Sequence, residues 1–183
     1  YHGNWEKVTP WQIRTYYDNT RNNTVKGWSN IVNIDPKEPL PKFDTLEPLP
    51  IEEDSEGYLR DLLQKCKDEQ INVVFVSTPW NASEEQRRKN IYIGNIVEEY
   101  GFLFYNGNEL VDEMGLDYTT DFYDNAHVNV WGAEKFTQHF GDFIVENFDL
   151  KPAKHSKSVV KSWKKCVKTN AKEVAEKVEK LKN

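Results

Sequence analysis

The chain has 183 residues, of which 30% are charged, and its mean hydropathy is −0.79, a composition typical of one globular domain with a modest appendage. No apolar run approaches the ~20 residues that span a bilayer, so no transmembrane segment is expected in this chain. The net charge is −6, but residues 151–183 hold eleven lysines against three glutamates, and the acidic remainder argues against nucleic acid as a partner.

Three regions differ in composition. Residues 1–50 are dense in aromatic side chains, which disordered segments lack, and are interpreted as an N-terminal lobe of the same domain that ends in a proline-rich connector. Residues 51–150 alternate between helical and strand patterns and form the expected α/β body. Residues 151–183 predict a lysine-rich amphipathic helical tail. Three interpretations of this tail stay open: packing on the body or on a second copy, contact with an anionic envelope surface, and disorder.

The body begins with a helix that a strand follows. A cap at Asp54 or Ser55 opens the helix, and apolar residues at helical spacing predict which side chains it buries: Tyr58, Leu59, Leu62, Leu63 and Cys66. Residues 71–76 form a short uncharged run rich in β-branched residues. Such a run is typical of a strand that is buried on both faces.

A second helix and strand come next. Ser83 and Gln86 form a capping box at the start of the helix, and Gly101 is expected to end it. Residues 102–105 predict a strand, residues 108–114 a short helix and residues 131–147 a last body helix, in which His139 is interpreted as structural. This order implies parallel strands with right-handed crossovers. Functional groups of such sheets gather beyond the carboxyl ends of the strands.

A polar stretch over residues 121–132 holds the candidate catalytic residues. Asp124 precedes His127 by three residues in a short loop, so one segment supplies a base and a carboxylate to orient it. A histidine takes a proton from a nucleophile only when its other ring nitrogen is held by a hydrogen bond. Asp121 is the alternative acid, or a brace of the loop. The competing interpretation is that Asp124 caps a turn and His127 only packs.

Other side chains near these loops are candidates for substrate contact. Ser77 ends the first strand and is a nucleophile candidate, but it lacks the flanking glycines of a tight nucleophile turn. Trp80 either lines a sugar-binding surface or packs, and Asn129 either touches substrate or fixes the start of the next helix. Asp121, Asp124 and His127 imitate a metal site, yet no metal is expected because further ligands at metal-binding spacing are missing.

Four stretches carry a resemblance to a known family: VFVSTP (74–79), FLFY (102–105), DFYDNAHVN (121–129) and GAEKFT (132–137). With them, residues 73–144 resemble the C-terminal half of SGNH/GDSL hydrolases, and more closely the cell-envelope branch of D-alanyl-lipoteichoic acid and alginate O-acetylation proteins. The resemblance implies a three-layer α/β/α fold with a parallel sheet that lacks its N-terminal portion. It assigns Asp124 and His127 to the acid and base of a serine triad, which needs no metal or organic cofactor.

The resemblance also implies a function. It points to part of a serine esterase or O-acyltransferase that acts on acyl esters, such as acetyl, of a cell-envelope polysaccharide. This places the protein at the extracellular face of a bacterial envelope, anchored to the membrane through a missing N-terminus and with a membrane-bound acyltransferase as a further partner. The alternative is a non-catalytic SGNH-like module that binds glycan or serves as a scaffold.

The nucleophile is where the sequence departs from the family. The family's serine lies in a Gly-Asp-Ser block, which this sequence lacks. Because the chain starts at Tyr1 and its only methionine is Met114, the serine is expected upstream, and the chain alone is expected to be inactive. Asn4 is the candidate for the family's oxyanion-hole asparagine, although Trp5 follows where the family has aspartate.

Overall fold

The computed structural model describes residues 9–14, 25–26, 28–38, 46–151 and 153–182. The chain divides into two compact units: one contains the described residues up to Val32 together with those from Leu150 onward, and the other spans Asn33–Asp149. In chain order the elements are α1 (Glu53–Asp68), β1 (Val74–Ser77), α2 (Glu84–Glu99), β2 (Leu103–Asn106), α3 (Val111–Met114), α4 (Val130–Asn147) and α5 (Lys157–Leu181). Residues 10–14 are also helical.

Strands β1 and β2 form a parallel pair, with Val74 opposite Leu103 and Ser77 opposite Asn106. Helix α2 connects them and packs against β2. Gly94 allows this approach, since a Cβ at this position would lie 2.6 Å from the ring of Phe104. The predicted strand–helix–strand unit and the α/β class are therefore confirmed, with a two-stranded parallel sheet over the described residues.

The ends of α2 follow the signals in the sequence. The Ser83 side chain accepts a hydrogen bond from the backbone N–H of Gln86, and the Gln86 side chain accepts one from the backbone N–H of Ser83, so the predicted capping box is present. Tyr100 is the C-cap, and Gly101 follows with φ of +83°. This left-handed conformation is available to glycine at little cost, which is why the helix ends there.

Helix α1 buries a narrower stripe than its apolar pattern predicts. Leu63 and Cys66 are buried, as expected, and Leu63 packs in a core cluster with Ile96 and Val97 of α2. Tyr58 and Leu62 are 76% and 50% exposed, so the prediction that they are buried is wrong. Both lie beside the stripe that faces α2 and β1, where no further element covers them within the described residues.

Strand β1 is not buried on both faces. Phe75 packs against the Leu63 cluster, whereas Val76, which points to the opposite face, is 39% exposed. Ile71, before the strand, is 44% exposed. The prediction of a strand covered on both sides is wrong for β1 in the described part of the chain, because α4 packs on Tyr105 of the neighbouring strand and leaves Val76 on the same face exposed.

A second core cluster is formed by α3 and the residues that follow it, and Phe136 of α4 packs against it. Its buried members are Val111, Met114, Leu116, Tyr118 and Phe122. Beside it, the ring of Tyr105 packs on Phe140 and Phe143, each at 5.0 Å between centroids. The Tyr105 hydroxyl is hydrogen-bonded to Nδ1 of His139 at 2.8 Å. Burial, and secondarily the charge of Glu113, raises the pKa of Tyr105 to about 12. The interpretation of His139 as structural is confirmed.

The tail is helical, so disorder is the wrong interpretation for residues 157–181. Ser156 caps α5, and Asn30 contacts the helix by donating from Nδ2 to Glu173 at 2.8 Å. Cys66 and Cys166 are both buried free thiols. Across the described helices, none is long and apolar enough to cross a membrane.

Candidate active site

Residues 123–127, which contain Asp124 and His127, form a loop that is called the dyad loop below. Hydrogen bonds hold the two ends of this loop together. Phe122 and Val128 form a short antiparallel bridge, and Tyr123 donates its N–H to the carbonyl oxygen of His127 at 3.2 Å. Phe122 is fully buried and stacks on Tyr118 at 5.0 Å. The loop is therefore held from the core side, while the His127 side chain is 61% exposed. The imidazole of His127 is therefore carried by an anchored loop and is open to solvent.

Asp124 and His127 form a direct hydrogen-bonded pair. Nδ1 of His127 lies 3.0 and 2.9 Å from the two carboxylate oxygens of Asp124. The ring also stacks on Tyr123, with centroids 5.4 Å apart and an interplanar angle of 11°. A carboxylate accepts and does not donate, so the neutral ring carries its proton on Nδ1 and its lone pair on Nε2. This is the tautomer that a general base needs.

The Asp124 carboxylate is held in its charged form. Burial raises the pKa of Asp124, but hydrogen bonds from the Ala126 N–H and from the His127 ring lower it by more, and the net pKa lies below the ordinary value. The Ala126 N–H lies 2.7 Å from Oδ1. Asp124 thus caps the turn and holds the imidazole with the same carboxylate.

Asp121 has a different environment. Its side chain is 3% exposed and makes an ion pair with Lys135 of α4 at 2.6 Å. It also accepts from the backbone N–H of Asp117 at 2.8 Å and from the Thr120 hydroxyl at 3.1 Å. These bonds tie the start of the loop to α4. Asp121 is bound to Lys135 rather than to His127, which gives it the bracing role.

Asn129 is the N-cap of α4. Its Oδ1 accepts from the N–H groups of Trp131 and Gly132 at 3.1 and 3.2 Å, and its Nδ2 donates to the carbonyl oxygens of Thr120 and Asn33 at 2.7 and 3.3 Å. The residue is 1% exposed. All its side-chain hydrogen-bonding capacity is used within the protein, so the structure gives Asn129 the helix-capping role.

The loop after β1 reaches the dyad loop. The backbone N–H of Asn81 donates to the carbonyl oxygen of Asn125 at 2.9 Å, so the two loops at the carboxyl end of the sheet are joined. The Ser77 hydroxyl accepts from Nδ2 of Asn90 in α2 at 2.9 Å. That bond serves the packing of β1 on α2, and the structure does not bring Ser77 to His127.

Trp80 lies in the same loop. Its backbone N–H donates to Oδ1 of Asn108 at 3.0 Å, which links the loops after the two strands. Its side chain is partly buried, and the indole Nε1 is inaccessible to solvent, with no hydrogen-bond partner in the described part of the chain. The indole N–H therefore does not face a sugar-binding surface, and the burial of Trp80 supports packing.

The segment around Asp35 and Lys37, at the start of the proline-rich connector, also supports the site. Asp35 donates its N–H to the carbonyl oxygen of Phe122 at 2.9 Å, and Lys37 does the same to Tyr118 at 2.8 Å. These backbone bonds run along the segment that precedes the dyad loop. A backbone pairing of this kind leaves no side-chain signal in the sequence.

Gly132 in the first turn of α4 allows the helix to contact the loop. A Cβ at this position would overlap the carbonyl oxygen of Asp121 and lie 2.9 Å from Cβ of Val128. We expect Gly132→Ala to lower the free energy of unfolding by about 1–3 kcal/mol, as overpacking does. Gly141→Ala, in the same helix with open space around it, should instead raise it by roughly 0.5–1 kcal/mol. Urea denaturation measures both, and equal effects would contradict this account of Gly132.

Within the described residues, no serine or threonine hydroxyl is hydrogen-bonded to His127, and no group of three or more His, Cys, Asp or Glu side chains is placed to hold a metal ion. Asn4 lies outside the described residues. The sequence does contain one Gly-x-Ser triplet, Gly27-Trp28-Ser29, but no glycine follows two residues later as a nucleophile elbow requires.

Comparison of the chain with protein-family models, with curated proteins and with solved structures finds no significant match.

Proposed function

We propose that this chain carries the acid and base of an SGNH-type serine acyl-transfer site. The observation that supports the proposal is the pair of contacts from Nδ1 of His127 to both oxygens of Asp124, in a loop at the carboxyl end of a parallel sheet. We extend the proposal to the fold: β1 and β2 belong to a three-layer α/β/α sheet whose other strands come from outside the described residues.

The proposed chemistry gives each member of the Asp124–His127 pair a separate role. Nε2 of His127 takes the proton of a serine hydroxyl as the serine oxygen bonds to the acyl carbon of an ester. Asp124 stabilises the imidazolium that forms, and the imidazolium then gives its proton to the departing alcohol. Water or an acceptor hydroxyl repeats the sequence on the acyl-enzyme. The result is hydrolysis or transfer of the acyl group, with no cofactor required.

The substrate class rests on the likeness of residues 121–137 to the cell-envelope branch of these hydrolases. The proposed substrate is an acyl ester, such as acetyl, on an envelope polysaccharide at the extracellular face, and a membrane-bound acyltransferase is the proposed partner. One observation favours the non-catalytic glycan-binding or scaffold function. Within the described residues, no hydroxyl group is hydrogen-bonded to the His127 ring.

A fluorophosphonate probe separates these two functions, because it labels only a serine that a neighbouring base activates. We expect the full-length polypeptide to be labelled at a serine N-terminal to Tyr1, and this chain by itself to remain unlabelled. Peptide mapping by mass spectrometry identifies the labelled residue. A full-length polypeptide without label would favour the scaffold function, and label on Ser77 in this chain would place the nucleophile there.

A further inference from the structure

Helix α5 exposes an apolar face along its first four turns. Val160, Trp163 and Val167 are 40%, 55% and 65% exposed, although they follow one another at the spacing of a single helical stripe. Together with Val159 and Ala171 they line an apolar groove of about 600 Å³. An exposed stripe of this kind marks an interaction surface, because scattered single apolar residues do not share one face.

Another side of the same helix is already packed. Cys166 is buried, and Asn30 is bonded to two residues further along α5: its side-chain Nδ2 donates to Glu173 at 2.8 Å, and its backbone carbonyl oxygen accepts from Lys177 at 2.5 Å. The ammonium group of Lys26 lies 4.9 Å from the centre of the Trp163 ring. The exposed stripe therefore borders the surface that holds the helix to residues 25–32, and the two meet at Trp163, which stays 55% exposed.

The charges around the stripe have one sign. Residues 157–172 contain six lysines and no acidic residue, whereas the three glutamates of the helix all come later. Lys164 and Lys168 border the groove itself, and both are exposed. The first four turns thus combine an apolar stripe around a tryptophan with a row of flexible cations, whose stems can lie along apolar surface while the ammonium groups stay in a polar layer.

We propose that the first four turns of α5 lie in the surface of an anionic phospholipid membrane. The stripe would sit at the boundary between headgroups and acyl chains, with the lysine ammonium groups on headgroup phosphates, as interfacial amphipathic helices do. A second copy of the chain fits less well, since stripe-to-stripe packing brings two lysine rows together. A soluble acidic polymer would satisfy the lysines and leave the valines in water. The inference is independent of the dyad.

Vesicle flotation with the chain tests this surface. We expect the chain to float with mixed phosphatidylcholine–phosphatidylglycerol vesicles, not with phosphatidylcholine alone, and to be released at high salt. Val167→Glu should weaken the binding by about tenfold or more, since it removes an apolar contact and adds a negative charge. Lys164→Gln combined with Lys168→Gln should weaken it by about tenfold as well.

Matched variants control for changes of fold and of net charge. Val145→Glu alters a residue on α4 that is 70% exposed and should leave flotation unchanged. Lys65→Gln with Lys67→Gln, on α1, controls for the double lysine variant. Circular dichroism shows that each variant is folded. Lack of flotation, equal losses for Val167→Glu and Val145→Glu, or a dimer in solution that Val167→Glu dissociates would each overturn the proposal.

Discussion

In the proposed acyl-transfer site, replacement of Asp124 by asparagine is expected to lower the acyl-transfer rate of a polypeptide that includes the serine by about 10⁴-fold. The aspartate accepts the Nδ1–H of His127, whereas an asparagine amide can donate to Nδ1. The imidazole proton then moves to Nε2, and the nitrogen that must take the serine proton is no longer basic. The loop itself should keep its shape, because the asparagine Oδ1 still accepts from the Ala126 N–H.

Ester hydrolysis measures the rate, and two-bond ¹H–¹⁵N spectra of the imidazole measure the tautomer. We expect neutral His127 to carry its proton on Nδ1 in the natural chain and on Nε2 in the Asp124→Asn variant. Asp142→Asn, an exposed change on α4, serves as the control and should alter neither. An Nε2-protonated ring in the natural chain, or an unchanged rate in the variant, would remove Asp124 from the role of orienting acid.

The lowered pKa of Asp124 determines the pH range in which its carboxylate is charged and contributes to the stability of the fold. A carboxyl whose pKa is lower in the folded chain stabilises the fold above its ordinary pKa, and that contribution is lost as the pH falls through the lowered value. The carboxylate therefore stays charged throughout the neutral range.

Replacement of Asp121 by alanine is expected to lower the free energy of unfolding by about 3 kcal/mol. The change removes the buried partner of Lys135 and the acceptor of the Asp117 N–H. Asp124→Ala is the matched control, since its side chain is 44% exposed and an exposed pair contributes less than about 1 kcal/mol. Urea denaturation of both variants gives the two values.

Asp121 is thus expected to contribute mainly to the stability of the fold, and Asp124 mainly to the tautomer of His127. Asp121→Ala should destabilise the chain strongly, while Asp124→Asn should spare stability and change the tautomer of His127. If Asp121→Ala and Asp124→Asn lowered the free energy of unfolding equally, this distinction between Asp121 and Asp124 would be wrong.

Local signals in the sequence predicted the ends of α2 correctly, whereas the predicted cap of α1 at Asp54 or Ser55 is wrong, because the helix begins at Glu53 with Glu52 as its N-cap and no side-chain cap bond. The capping box of Ser83 and Gln86 and the helix end at Gly101 depend on residues within one turn of each other, so they can be read directly. The pairing of Asp124 with His127 is also local, because three residues separate them. The predicted strands fall within about three residues of β1 and β2.

Burial and long-range contacts were harder to predict from the sequence. The pattern of α1 marked Tyr58 and Leu62 as apolar, but whether they are covered depends on which elements pack beside the helix. The bond between Asn81 and Asn125 joins backbone atoms of residues far apart in the chain, and any residue type can make it. Tyr123 lies only four residues before His127, but its stacking on the imidazole ring could not be predicted, because it depends on the bridge that closes the loop.

The two buried cysteines give each compact unit its own chemical reporter. Cys166 belongs to the unit that contains α5 and Cys66 to the unit that contains the sheet, and neither is oxidised. A thiol reagent modifies a buried cysteine only when the surrounding structure opens. The rates of alkylation at the two positions therefore give the opening free energy of each unit separately, in one unlabelled, unmutated protein.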